Sequence, residues 1–379
     1  MTSLREECTM KFIANTETIR NLLSIVTRAL SVRPSQPVLE GVLIEVRENC
    51  LLLTASDGMF TIHASTEVNE VEPGRLLAPG RFFLETLRKL PDGEMTASQT
   101  KSGGLTLSCA GARITIGCQN GEEYPDLPEI VEPHSFSLEQ KMLRDMINES
   151  SFCIADEDPR VVLTGALLEV SEGRFTVVAL DGFRMAVHNR QCDTGVAEGQ
   201  TAVVVPKKSL IEIARLLTEE EEETVLLQID RNYISAQLGS VRVYARLIDG
   251  EFINYQRILP TGWKTRVKVN CAQFSSCVER ASLVARESKN NLMRIDVDGD
   301  RMVVTSNSDI GESYEEIEVE TDGEPMKITF NVRYLSDAFR VIKDEYVYLQ
   351  MTSPVSPMTI VPFGGDAFLY LILPVRAAA

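Results

Sequence analysis

Arg81-Phe82-Phe83-Leu84-Glu85-Thr86-Leu87-Arg88 decides how this chain is built, because its pattern is written three times. The base, acid and base at 81, 85 and 88 return as Lys208, Glu212 and Arg215, and again as Arg333, Asp337 and Arg340, at offsets of 127 and 125. Spacing of i, i+4, i+7 puts each triplet on one face of a helix. The apolar triplets Phe83/Leu87/Leu90, Leu210/Ala214/Leu217 and Leu335/Phe339/Ile342 keep the same spacing two residues out of phase, on the opposite face. Three helices are therefore expected to bury one stripe and show the other. A repeat of domain size makes the chain three copies of one module.

Around each stripe helix the same recipe recurs. In the first copy a short strand at 11–13 leads into a helix from about Thr16 to Leu30 and strands near 42–46, 51–55 and 60–65. A second half follows with a strand at 75–78, a helix at 80–90 and strands near 95–97, 105–109 and 113–117. Halves of this kind predict an α+β class with antiparallel sheets covered by helices on one side. Proline and aromatic residues cluster at Tyr124-Pro-Asp-Leu-Pro128, Phe252 to Pro260 and Tyr370 to Pro374, and these clusters end the modules. The expected divisions are an extension at 1–9 and domains at 10–131, 132–262 and 263–379.

Composition narrows the function. The 379 residues are 44% hydrophobic and 25% charged, within the range of ordinary globular chains. No run approaches the ~20 apolar residues of a membrane span, and the N-terminus lacks the apolar core of a secretory signal, so a cytoplasmic protein without membrane contact is expected. Eight cysteines form no CxxC pair and are expected to be free thiols.

A formal charge of −17 argues at first against a nucleic-acid partner. Its distribution argues the other way. Segments 79–90, 206–217 and 331–343 carry +2 each, and the helices expected at 16–33, 137–152 and 270–289 carry +2, −1 and +1, which leaves −25 for everything else. One such stripe is an ordinary solvated helix face. Three in register, facing a shared space, would sum their fields on a polyanion without reading its sequence.

Catalytic chemistry finds no foothold. Asp57-Gly58 and Asp181-Gly182 recur at an offset of 124 and read as strand-to-strand turns. His63, His134 and His188 are not at metal-ligand spacing, and no Walker lysine, GxGxxG or HExxH is present. No catalytic residue, metal or cofactor is expected.

Several segments together carry a resemblance: Met10-Lys-Phe-Ile, Arg33-Pro-Ser-Gln-Pro-Val-Leu-Glu-Gly-Val-Leu, Ala179-Leu-Asp-Gly-Phe-Arg-Met-Ala-Val187, Ile258-Leu-Pro260 and Leu373-Pro-Val-Arg376. In this order and spacing, over nearly the whole chain from Met10, the sequence resembles the bacterial sliding clamp family, the β subunit of DNA polymerase III. The resemblance implies three tandem DNA-clamp domains, a head-to-tail homodimer closing a ring, and a non-catalytic processivity factor that encircles double-stranded DNA without sequence preference. Implied DNA-facing residues are Arg20, Arg28, Arg33, Arg81, Arg88, Lys207, Lys208, Arg215, Arg286, Arg333, Arg340 and Lys343. Arg33 matches a family position in a loop approaching DNA, whereas Val161 and Val162 stand where relatives often carry tyrosines.

The resemblance also implies a pocket for short apolar peptides of the replicative polymerase, the clamp loader and repair proteins. Matching positions are Leu163, Leu180, Gly182, Phe183, Arg184, Met185, Ile253, Arg257, Ile258, Val355, Pro357, Leu371, Ile372, Leu373, Pro374, Val375 and Arg376. Read as bare residues, Leu163, Ile258 and Ile372 look like core. Phe183 replaces a common histidine, and the tail runs on past Arg376 as three alanines. Ring closure is expected to join Ile114 and Ile116 of one subunit to Leu283 and Val284 of the other, supported by Arg81 against the acidic strand at 312–320. The competing reading is an acidic β-rich scaffold that binds proteins only.

Overall fold

The structure, a computed structural model, describes residues 10–33, 35–194, 200–220 and 222–376. The extension expected at 1–9, with Cys8, and the alanines at 377–379 lie outside the described residues, as does Pro34. Six α-helices occur among the described residues: α1 (Thr16–Val26), α2 (Gly80–Lys89), α3 (Gln140–Ser150), α4 (Lys207–Leu216), α5 (Cys271–Ala285) and α6 (Val332–Val341). Each follows a leading strand and precedes three more, so the strand–helix–three-strand half repeats six times. The expected helix at 16–30 stops at Val26 and continues only as a 3-10 turn, Thr27–Ala29.

The helices start where sequence chemistry tells them to. Asn15, Asn270 and Asn331 end their leading strands in extended conformation, and their side chains accept from the amides of Glu17, Gln273 and Arg333. Each such cap stabilises its helix by about 1 kcal/mol. Along α2 and α6 the two faces separate as the repeat requires: Phe83, Leu87, Leu335 and Phe339 are buried, while Arg81, Arg88, Arg333 and Arg340 are exposed.

The chain forms two compact units, one of residues 1–140 with 215–247 and the other of 141–214 with 248–379. Unit 1 holds a five-stranded and a nine-stranded sheet; unit 2 holds a nine-stranded and a four-stranded sheet. All the pairings are antiparallel. The leading strand of each half does not join the three long strands that follow its helix, although three leading strands also pair with a short later strand of their own half. Lys11–Asn15 pairs with Glu94–Gln99 of the second half, and Gly74–Pro79 pairs with Gly41–Arg47 of the first. The same exchange holds in unit 2, where Thr265–Asn270 pairs with Tyr346–Met351 and Met326–Asn331 with Leu292–Asp298. Exchanged strands tie the halves of a module into one body.

Modules are joined by sheet continuity. In unit 1, Phe60–Glu67 pairs with Val241–Arg246; in unit 2, Arg184–Gln191 pairs with Phe368–Ile372. Each short sheet keeps an unpaired edge, Ala112–Ile116 in unit 1 and Gly311–Glu318 in unit 2. Against the four-stranded sheet of unit 2 lie α5 and α6, with Phe274 and Phe339 in edge-to-face contact at 4.8 Å between ring centroids.

Candidate partner groove and cationic stripes

The groove in unit 2 grows from the turn at Asp181-Gly182. Gly182 adopts φ 88°, a left-handed conformation that suits glycine, and the Asp181 carboxylate accepts from the amides of Phe183 (2.9 Å) and Arg184 (3.0 Å). The same aspartate accepts a side-chain bond from Arg184 Nε at 2.9 Å. Asp57-Gly58 builds the equivalent turn in unit 1, with Gly58 at φ 91° and Asp57 accepting from the amides of Met59 and Phe60. Both Asp-Gly pairs are therefore turn formers.

This turn lifts Phe183 out of the sheet, where it is 58% exposed. Leu373 N donates to Phe183 O at 2.8 Å and brings the third module's last strand alongside. Leu180, Gly182, Phe183, Arg184, Met185, Ile258, Leu371 and Leu373 then line one open groove of about 60 Å³. Its lining is almost wholly aliphatic and aromatic, as a receptor for apolar anchors needs. Behind it, Leu163 and Ile253 belong to the cluster around Val178, Val187 and Leu167. Ile372 is buried in its strand, so Leu163 and Ile372 are core. Ile258, which sequence alone reads as core, is 40% exposed and lines the groove. Arg257, Val355 and Arg376 are exposed and Pro357, Pro374 and Val375 partly buried in unit 2, outside the eight lining residues.

Arg184 lies beneath the turn. Its Nη1 donates to Asp337 at 2.6 Å, and its guanidinium carbon stands 4.8 Å from the Tyr334 ring and 5.3 Å from that of Phe152. Burial works against the charge, but the bonds to Asp337 and Asp181 outweigh it and hold the pKa above its ordinary value. Sequence reasoning did not connect Arg184 to Asp337, which lies 153 residues away. The shortening from Glu to Asp in the third stripe was the available signal.

The stripe residues are not equally free. Arg28, Arg33, Arg81, Arg286 and Arg333 are exposed and make no ion pair among the described residues, while Lys208 and Arg215, also exposed, have partners. Arg20 is paired with Asp92, Arg88 with Glu85 (2.7 Å) and Arg340 with Asp337 (3.2 Å). Lys207 is bound to Asp156 (2.6 Å) and the Ile154 carbonyl, and Lys343 to Asp145 (2.9 Å) and Glu149 (3.2 Å). Surface pairs of this kind stabilise by at most about 1 kcal/mol and can be exchanged for phosphate.

At the sheet edges, Ile114 is partly buried on Ala112–Ile116, but Ile116 is 1% exposed and faces its own unit's core. Residues two apart on a strand share a face, so Ile114 and Ile116 both point inward, Ile116 the more deeply. Leu283, near the end of α5, is 68% exposed, and Val284 is partly buried. On the edge strand Gly311–Glu318, Glu315 is held by Arg280 and Glu316 by Arg301.

No group of three or more His, Cys, Asp or Glu side chains among the described residues could hold a metal. The seven described cysteines are free thiols, and burial pushes Cys118 and Cys271 to about 11 and Cys277 to about 12. No described helix is long and apolar enough to cross a membrane.

Strand–helix–three-strand halves joined into continuous sheets define the DNA-clamp class of protein, and solved structures agree. A putative DNA polymerase III beta subunit from Eubacterium rectale superposes with a TM-score of 0.92 at 30% identity, covering 97% of this chain and 100% of that one. The sliding clamp of Bacillus subtilis gives 0.93 at 27%, and that of Pseudomonas aeruginosa bound to griselimycin gives 0.92 at 28%, both with the same coverage. Curated relatives include the beta sliding clamp of Staphylococcus aureus, 27% identical over 377 residues, 97% of this chain and 99% of that protein. Models of the N-terminal, central and C-terminal domains of the DNA polymerase III beta subunit match residues 10–128, 137–254 and 256–376. The chain belongs to the DNA polymerase III beta subunit family. That family is one of sliding clamps, non-catalytic processivity factors of replication.

Proposed function

We propose that two copies of this chain close head to tail into a ring around double-stranded DNA. In this reading the ring tethers the replicative polymerase, the clamp loader and repair proteins through short apolar peptides seated in the groove at Phe183, Leu180 and Leu371. The carrying observation is that cations stand exposed on α2, α4 and α6 while the apolar triplets of these segments are buried, except Ile342, which is partly buried. Phosphates attract such stripes without base readout, and an acidic remainder repels nucleic acid elsewhere. Domains at 10–131, 132–262 and 263–379 are the proposed units of ring curvature. Ring closure would pair the edge Ala112–Ile116 with the partner's edge Gly311–Glu318, satisfying backbone groups that an open edge leaves exposed. Leu283 would supply apolar contact there, and Arg81 would face an edge that carries Glu312 and Glu318.

The test is topological. Loaded onto nicked circular duplex, the protein is expected to stay bound in about 1 M salt, where phosphate contacts are screened. It should then leave within minutes once the circle is cut. Loss from the intact circle in high salt would overturn encirclement and favour the protein-binding scaffold. Griselimycin, found on the Pseudomonas aeruginosa relative, serves as the groove probe.

A further inference from the structure

The three stripes differ in their acid. Glu85 pairs with Arg88 on its own helix and is 60% exposed, whereas Asp337 is 27% exposed and reaches off its helix. Its two oxygens serve two arginines. Oδ2 accepts from Arg184 Nη1 at 2.6 Å, and Oδ1 accepts from Arg340 Nη1 at 3.2 Å. The Arg184 side chain is 13% exposed beneath the groove turn, while that of Arg340 is 67% exposed on the stripe. The shorter contact is the inner one.

We propose that Asp337 is a positioning residue of the groove, shared between the turn that carries Phe183 and the cationic stripe of α6. The inference rests on the groove reading above and adds to it a physical link to the polyanion-facing helix. The chain of contacts is continuous. Asp337 fixes the Arg184 guanidinium between the rings of Tyr334 and Phe152, and Arg184 Nε bonds Asp181 Oδ2. The other Asp181 oxygen holds the amides of Phe183 and Arg184, and the Phe183 ring stacks on Tyr334 at 6.1 Å. Removing the Asp337 charge leaves a buried guanidinium with only Asp181 to answer it, so the turn loses its anchor to α6. Withdrawing Arg340 has the opposite effect. With its outer competitor gone, the carboxylate is left to Arg184 and the turn tightens. A phosphate that draws Arg340 away from Asp337 therefore favours the ordered groove, and an occupied groove favours release of Arg340 to phosphate, since coupling between sites is reciprocal.

The full-length chain is tested as the wild type and as Asp337→Asn, Arg340→Ala, Arg184→Gln and the pair Arg184→Gln/Asp337→Asn. Two readouts are used: hydrogen exchange of the Phe183 and Arg184 amides, and griselimycin affinity by calorimetry. Asp337→Asn is expected to speed exchange and weaken griselimycin about tenfold, at an unchanged sedimenting mass. The pair should be no weaker than Arg184→Gln alone, as required of residues acting through one contact. Arg340→Ala should slow exchange and tighten griselimycin about threefold. Unaltered exchange in Asp337→Asn, or additive losses in the pair, would overturn the proposal. Failure of griselimycin to bind the wild type would overturn the groove reading instead, and the exchange data would still decide the role of Asp337.

Discussion

The two nine-stranded sheets each contain a junction where strands of different modules pair, and the junctions share a backbone plan but carry opposite chemistry. Thr54, Ser56, Thr61 and His63 of unit 1 stand where unit 2 has Val178, Leu180, Met185 and Val187, all at the 124-residue offset of the Asp-Gly turns. Across the junction, Arg242 and Tyr244 face His63 and Thr61, whereas Leu369 and Leu371 face Val187 and Met185. Unit 1 knits its polar set together: Ser56 and Thr61 hydroxyls lie 2.8 Å apart, and Thr54 Oγ1 is 2.8 Å from His63 Nδ1. A recess remains beside them, lined by Glu45, Arg47 and Arg75. In unit 2 the same face is an apolar groove. The repeat thus supplies a shaped surface twice, and side-chain polarity decides which copy can take an apolar peptide.

The sharpest break of this comparison gives unit 2 the side chains of unit 1. Leu180→Ser with Met185→Thr copies a hydroxyl pair that unit 1 already accommodates. Leu180 and Met185 are already buried in the free chain, so the change removes the groove's apolar floor and not exposed area, and an affinity loss on the order of a hundredfold is expected. Griselimycin binding should therefore weaken by that factor in calorimetry while circular dichroism keeps its native strand signal. Affinity within threefold of wild type would show that the groove face does not bind the ligand.

A second prediction contrasts the free edges. Ile116 and Leu283 look alike in sequence as apolar residues at element ends, yet one is buried and the other 68% exposed. Ile116→Asp places an unpaired charge in the core of unit 1 and is expected to cost about 3 kcal/mol or more, a melting drop on the order of 10 °C. Leu283→Asp should leave the first unfolding transition nearly unmoved but halve the sedimenting mass by removing apolar contact between copies. A dimer that survives Leu283→Asp would remove α5 from the proposed interface.

These contrasts mark what the sequence made legible. Stripe and core faces, the six halves and the Asp-Gly turns all follow from periodicity or from local chemistry, which acts over a few residues. Strand exchange did not show, because Lys11 pairs with Ser98 through backbone groups that every residue carries. Nor did the inward turn of Ile116, the exposure of Ile258 or the bond from Arg184 to Asp337, each set by packing between distant segments. The groove residues came from a family resemblance, and the structure gathers eight of them around one space. Leu163 and Ile372 are core, and the other positions are not among the eight lining residues.

Acid offers the mildest test of how the two units differ. His188 of unit 2 is inaccessible, its Nε2 is 3.0 Å from the Tyr370 hydroxyl, and burial lowers its pKa from 6.5 to about 3. Glu149 stands 3.5 Å from Nδ1 and pulls the other way, but a ring shut away from water makes burial the stronger effect. His63 of unit 1 is only partly buried and is lowered in the same sense, by burial first. A histidine depressed in the folded state costs nothing above pH 6.5, where both states are neutral. As pH falls below 6.5 the unfolded chain takes up the proton and the folded chain does not, so stability drains away until about pH 3. By pH 5 the loss from His188 alone is about 2 kcal/mol. Glu149, raised by burial, opposes it, because the folded chain takes up that proton before the unfolded one does, in a window that opens above the ordinary 4.5. Melting between pH 7 and 5 should therefore fall first in the transition assigned to unit 2 by hydrogen exchange. His188→Gln should flatten that fall more than His63→Gln does. Equal flattening by both would mean that the buried junction of unit 2 is no drier than its polar counterpart, and the contrast between the two sheets would lose its energetic basis.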